Sequence, residues 1–154
     1  MEKPARILVV DDDEGIRKSL ATILQDEGYV VDTAENGKEA IEKSQNKFYN
    51  LALIDIRLPD KEGTSLLTAM KETTPKMVKI IITGYPTLHN AIEATNKGAD
   101  AYILNPFSVD SVLSTVKEHL KKQQEAKRYS EEKVAEFIET RAKELETASY
   151  RGMQ

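Results

Sequence analysis

The 154-residue chain reads as an α/β domain on a parallel sheet covered by helices on both faces, with a helical extension at its carboxyl end. Three features predict this. Five short apolar runs alternate with five stretches of helical spacing, the pattern of repeated βα units. The runs are largely unbroken, as in strands buried on both faces. Three of them stop abruptly at Asp or Thr, where open parallel sheets present their ligand sites.

The first strand is Ile7-Leu8-Val9-Val10, closed by three aspartates. Ile16, Leu20, Ile23 and Leu24 follow at helical spacing and stop near Gly28, with Asp13 placed to cap that helix. Val30-Val31 opens the second strand, and Ala40-Ile41 mark a helix after Asn36-Gly37. Leu51-Ala52-Leu53-Ile54 is the third strand, closed by Asp55, and Leu66, Leu67 and Met70 carry the next helix. Val78 and Ile80-Ile81-Ile82 form the fourth strand, ending in Thr83-Gly84. Ala91, Ile92 and Ala94 belong to a helix that stops at Gly98. Ala101-Tyr102-Ile103-Leu104 is the fifth strand, and the fifth helix starts after Pro106 with Val109, Val112, Leu113, Val116 and Leu120 facing inward.

Composition narrows the function classes. The chain is 40% hydrophobic and 31% charged with no cysteine, which excludes disulfides and thiolate metal sites. The net charge of −4 arises in residues 1–106, with 13 Lys+Arg against 17 Asp+Glu; residues 107–154 carry 9 of each. No basic stripe follows a phosphate backbone, so no nucleic-acid contact by this chain is expected. Met1-Glu2-Lys3-Pro4 leads almost directly into a strand without an apolar signal core, and no segment reaches membrane-spanning length. The expected location is cytoplasmic, without membrane contact.

A single Asp after a strand is usually a turn or cap residue. Asp11 and Asp12 after one strand and Asp55 after another are harder to explain that way. If the first and third strands are neighbours, the three carboxylates repel one another unless a cation balances them. Hard oxygen ligands suit Mg²⁺. A carboxylate beside Mg²⁺ can attack phosphorus to form an aspartyl phosphate, with the Thr83 hydroxyl available to a phosphoryl oxygen.

These residues resemble the receiver domains of two-component response regulators. Val9-Val10-Asp11-Asp12 is similar to the family's acidic pair, and Asp55-Ile56-Arg57-Leu58-Pro59 with Gly63 to its phospho-acceptor loop. Ile81-Ile82-Thr83-Gly84 resembles the switch segment, Tyr102 falls at the rotating aromatic, and Pro106-Phe107 matches the end of the family's Lys-Pro-Phe motif. The resemblance covers roughly residues 5–122. It implies a flavodoxin-like (βα)5 three-layer sandwich with strand order 2-1-3-4-5. It also implies that Asp55 accepts a phosphoryl group from a sensor histidine kinase. Asp11, Asp12, Asp55 and the Arg57 backbone carbonyl would hold Mg²⁺. Thr83 would move toward the phosphoryl group and Tyr102 into the space it leaves, altering the surface of the fourth helix, fifth strand and fifth helix. Such a domain assists its own phosphorylation and dephosphorylation but is not a conventional turnover enzyme. The Asn105-Pro106 bond is a candidate for the family's cis peptide.

The chain departs from the pattern at Asn105, where the family has a lysine. Asparagine offers only a neutral hydrogen bond, and the loss is worth roughly 1–3 kcal/mol in the phosphorylated state. Coupling of phosphorylation to Thr83 and Tyr102 is what this residue puts at issue. The alternative is a receiver-like interaction module that works without phosphorylation.

Residues 1–122 form the receiver and 123–154 a helical tail or linker. From Lys121 to Lys133 the apolar stripe disappears, and Ser130 followed by Glu131-Glu132 reads as a new helix start. Val134, Phe137, Ile138, Ala142 and Leu145 form a second stripe, for a homodimer seam or a linker to an unknown downstream effector, against folding back or fraying. A homodimer through the fourth-helix, fifth-strand, fifth-helix face is the other expected association. His89 and His119 read as solvated helix residues, and Tyr85 as an exposed contact or a packed loop aromatic. A haloacid-dehalogenase-type enzyme using Asp11 and Asp13 leaves Asp55, Pro59 and Gly63 unexplained. A flavin site is disfavoured by the acidic loop after the first strand.

Overall fold

The computed structural model describes residues 3–152, including the side chains of all but Tyr150 and Arg151. The elements alternate as β1 (Arg6–Val10), α1 (Glu14–Asp26), β2 (Val30–Ala34), α2 (Gly37–Asn46), β3 (Leu51–Asp55), α3 (Gly63–Ala69), β4 (Val78–Thr83), α4 (Leu88–Asn96), β5 (Ala101–Leu104) and α5 (Val109–Gly152). All strand pairs are parallel, and the order is β2-β1-β3-β4-β5. This is the flavodoxin-like (βα)5 arrangement that the family resemblance implies.

Strand side chains alternate between two apolar layers. Ile7, Val9, Leu51, Leu53, Ile80 and Ile82 pack on one face with Leu20 and Leu24 of α1 and Val112 and Val116 of α5. Leu8, Val10, Ala52, Ile54 and Ile81 pack on the other with Ala40, Leu66, Leu67 and Ala94 of α2, α3 and α4. Lys79 interrupts the fourth apolar run yet is buried; its Nζ donates to the Leu67 carbonyl at 2.6 Å, and burial pushes its pKa down.

Local signals set the helix ends. Asp13 Oδ1 accepts from the Ile16 N–H and Asn36 Oδ1 from the Glu39 N–H, each capping the helix that follows. Gly28 follows α1 with φ +95°, a conformation that glycine adopts without a Cβ clash. The bonds Thr74-Pro75 and Asn105-Pro106 are cis.

The chain divides into two compact units, Met1–Leu120 and Lys121–Gln154. The new helix start expected at Ser130 does not occur, because α5 is one helix from Val109 to Gly152 and Ser130 lies inside it. Residues 121–133 contain neither Gly nor Pro and are rich in Lys, Glu and Gln. Losing an apolar stripe removes packing but leaves helix propensity and the backbone ladder intact. In the second unit Val134, Phe137, Ile138 and Leu145 are exposed. The part of the tail at Met153 and Gln154, like Met1 and Glu2 at the other end, lies outside the described residues.

Candidate functional site

The polar strand ends gather along one edge of the sheet. Val10 pairs with Ile54, so Asp11 and Asp55 leave adjacent strands side by side. Asp11, Asp12 and Asp55 each offer a carboxylate oxygen within 4.8 Å of the others. Asp11 is only 4% exposed, whereas Asp55 is half-buried and Asp12 faces solvent. Burial, with Asp11 and then Asp12 as like-charged neighbours, pushes the Asp55 pKa up to about 6 against the pull of the Arg57 and Ile56 N–H groups. Burial also raises Asp11, with Asp12 and Asp13 adding to the rise; the Asp13 N–H and Arg17 work the other way. Hard oxygen donors that electrostatics leaves short of positive charge fit a divalent cation such as Mg²⁺.

Several contacts hold this edge in place. Asp11 Oδ1 accepts from the Asp13 N–H at 2.9 Å, and Arg17 Nη1 donates to the Asp11 carbonyl at 2.9 Å while Nη2 reaches Glu35 at 3.5 Å. Asp55 Oδ1 accepts from the Arg57 N–H at 3.3 Å. The Gly63 N–H donates to the Ile56 carbonyl at 2.7 Å, closing the β3–α3 loop tightly behind Asp55. A Cβ on Gly63 would sit 2.0 Å from the Asp55 carbonyl oxygen, so a side chain there displaces the acidic residue's own backbone.

Asp60, which the sequence reading did not single out, takes the Gly37 and Lys38 N–H groups at 2.8 and 2.9 Å. Those bonds hold its carboxyl below the usual range and tie the β3–α3 loop to the start of α2. A Pro-Asp pair signals a turn; nothing in it points to a partner so distant in sequence.

The other expected residues stand at the ends of β4 and β5. Thr83 is 1% exposed, and its Oγ1 accepts from the Tyr85 N–H at 2.9 Å. Asn105 donates its N–H to the Thr83 carbonyl at 2.7 Å. Tyr102 packs against the Ile81 layer with its hydroxyl buried and unbonded; burial raises its pKa, and the nearby Thr83 hydroxyl works against that. Tyr85 is 58% exposed and lies beneath the Arg57 guanidinium, 4.0 Å from ring centroid to Cζ, so it is both exposed and packed. His89 is exposed with Nε2 3.6 Å from Glu93, while His119 is half-buried rather than fully solvated.

Fold and site together define a doubly wound α/β domain with a cluster of carboxylates at the carboxyl edge of its sheet. Residues 7–117 match the response regulator receiver domain family, and the chain belongs to it. It is a receiver domain of the two-component response regulators, which are signalling proteins that work with sensor kinases and output effectors. The transcriptional regulatory protein GlrR of Escherichia coli K12 is 31% identical over 140 residues, spanning 91% of this chain and 31% of that protein. A CheY-like receiver domain protein of Methanospirillum hungatei is 45% identical with a TM-score of 0.77, over 80% of this chain and 99% of that one. A Burkholderia pseudomallei response regulator with a phosphorylated aspartic acid, calcium ion and citrate is 28% identical with a TM-score of 0.67, over 79% of this chain and 72% of that one.

The chain spans between about a third and a half of the curated relatives that lead the comparison, at 31% and 50% of their lengths. Because those relatives are transcriptional regulators, the expectation that this chain contacts no nucleic acid has no support from them. Among the described residues no helix is long and apolar enough to cross a membrane.

Proposed function

We propose that this domain is a phosphorylation switch in which Asp55 takes a phosphoryl group from a sensor histidine kinase. The convergence of Asp11, Asp12 and Asp55 carries this reading. Asp11, Asp12, Asp55 and the Arg57 backbone carbonyl would hold Mg²⁺, which supplies charge neutralisation for phosphoryl transfer. The phosphorylated aspartate and calcium of the Burkholderia pseudomallei relative support the same chemistry here.

Each residue then has a definite task. An Asp55 oxygen attacks phosphorus and is held by the Arg57 N–H. The Thr83 oxygen already accepts from Tyr85, which leaves its O–H to donate to a phosphoryl oxygen. As Thr83 moves, Tyr102 turns into the space it leaves, and the surface of α4, β5 and α5 changes its affinity for partners. Asn105 anchors the chain after β5 through the Thr83 carbonyl but brings no charge. Residues 1–122 act as the receiver, and 123–154 form the tail that passes the change to a second copy or to an effector. Its exposed Val134, Phe137, Ile138 and Leu145 suit that task.

The test is intact mass after incubation with Mg²⁺ and acetyl phosphate. One added phosphoryl group is expected on the wild type and none on Asp55→Ala; equal labelling of both defeats the assignment. The uncharged Asn105 favours a second reading, a phosphorylation-independent interaction module. Partner affinity unchanged by Asp55 phosphorylation would select it.

A further inference from the structure

We propose that the Arg57 guanidinium supplies the positive charge toward the Asp55 phosphoryl group that Asn105 cannot, and that Tyr85 holds it ready. This rests on Asp55 being the phospho-acceptor.

The other cations around the site have duties elsewhere. Arg17 binds the Asp11 carbonyl and Glu35. Lys61 belongs to the β3–α3 loop, but its stem lies over Gly37 at the start of α2. Lys97, past the carboxyl end of α4 and away from the strand ends that carry the site, is paired with Glu93 at 2.8 Å. Arg57 differs from these: among the described residues no carboxylate pairs with its guanidinium, which instead covers the Tyr85 ring.

That placement spans the site. Arg57 is two residues from Asp55, and its own N–H already bonds the Asp55 carboxylate. Tyr85 is two residues beyond Thr83, with its N–H on the Thr83 hydroxyl oxygen. β3 and β4 are neighbours, with Asp55 paired to Ile82, so the guanidinium bridges the loop after one strand and the loop after the next. A cation on an exposed ring is weakly held, whereas a guanidinium on a phosphoryl dianion makes charge-assisted, bidentate bonds. Arg57 can therefore leave the ring for the phosphoryl group and return when it is lost.

The transfer step balances without further reagents. An Asp55 oxygen bonds to the phosphorus of acetyl phosphate, the bond from phosphorus to the acetyl oxygen breaks, and acetate leaves with the electron pair. No proton need move, and one dianionic phosphoryl group replaces the Asp55 charge.

The experiment compares wild type, Arg57→Gln, Arg57→Lys, Lys61→Gln and the double variant Arg57→Gln/Asn105→Lys. Two quantities are read: the rate of Asp55 labelling by acetyl phosphate with Mg²⁺, and the affinity for beryllofluoride followed by tyrosine fluorescence. Arg57→Gln is expected to lower both by about tenfold, the size of losing one charge-assisted bond. Arg57→Lys should fall between, and Asn105→Lys should restore what Arg57→Gln loses. Lys61→Gln, which removes the same charge from the same loop, should match the wild type. Normal labelling and beryllofluoride affinity in Arg57→Gln overturn this inference and leave the phospho-acceptor reading standing. A wild type that never labels overturns both.

Discussion

Val116 and Ile138 lie on the same helix, α5, yet Val116 is fully buried and Ile138 is 61% exposed. Val116 packs in the layer that contains Ile80, Leu53 and Leu20. Around Ile138 the second unit offers polar neighbours on its own helix, such as the Arg141–Glu144 and Lys143–Glu139 ion pairs. One backbone conformation thus serves two energetic regimes. In the first unit, helix follows from burial of one face. In the second, it follows from propensity and local ion pairs, each pair worth only about 0.2–0.5 kcal/mol.

Ile80→Ala should have the largest effect, a loss of roughly 2–5 kcal/mol in urea unfolding, because it leaves a void in a fully buried layer. A loss below about 1 kcal/mol would mean that this layer is not close-packed, and the contrast with the tail would collapse.

Asp55→Asn should be next and of opposite sign. The folded-state pKa of about 6 lies above the ordinary aspartate value of 3.8, so between these values the native domain keeps a proton that the unfolded chain has released. The stability tied to this group is therefore complete at acid pH and lost as pH rises through about 6. At pH 7.5 with a chelator, Asp55→Asn should be more stable than wild type by about 1 kcal/mol, discounted for the half-exposed position. The gain should shrink toward pH 4, and Mg²⁺ should reduce it at neutral pH. A gain that does not change with pH or Mg²⁺ would contradict charge repulsion as its source.

Ile138→Ala should be smallest, within about 0.5 kcal/mol for the isolated chain at low concentration. A larger loss that grows with protein concentration would sharpen the comparison, because it would show that a second copy supplies the tail's missing burial.

Much of this was readable in the chain itself. Apolar runs bounded by Asp, Thr and Gly identify the strands, and the caps at Asp13 and Asn36 start their helices through contacts within three residues. The spacing of Asp11, Asp12 and Asp55 also suggests a cluster once their strands are taken as neighbours. The reading failed at Ser130, where a cap-like residue lies within a continuous helix. A capping residue marks a helix start only if the preceding residues leave the helix, and these have no reason to do so. Lys79 was silent for the opposite reason: a lysine reads as exposed, and only the Leu67 carbonyl explains its burial.

The sequence by itself determined the βα alternation, the strand limits and the residue types at the strand ends, because these depend on neighbours a few positions away. The tertiary structure alone decided which distant groups meet: Asp60 with the start of α2, Gly63 against the Asp55 backbone, and Arg57 on Tyr85. Such meetings depend on strand order and on loop closure across tens of residues. Many sequences with the same local pattern would leave those contacts unmade.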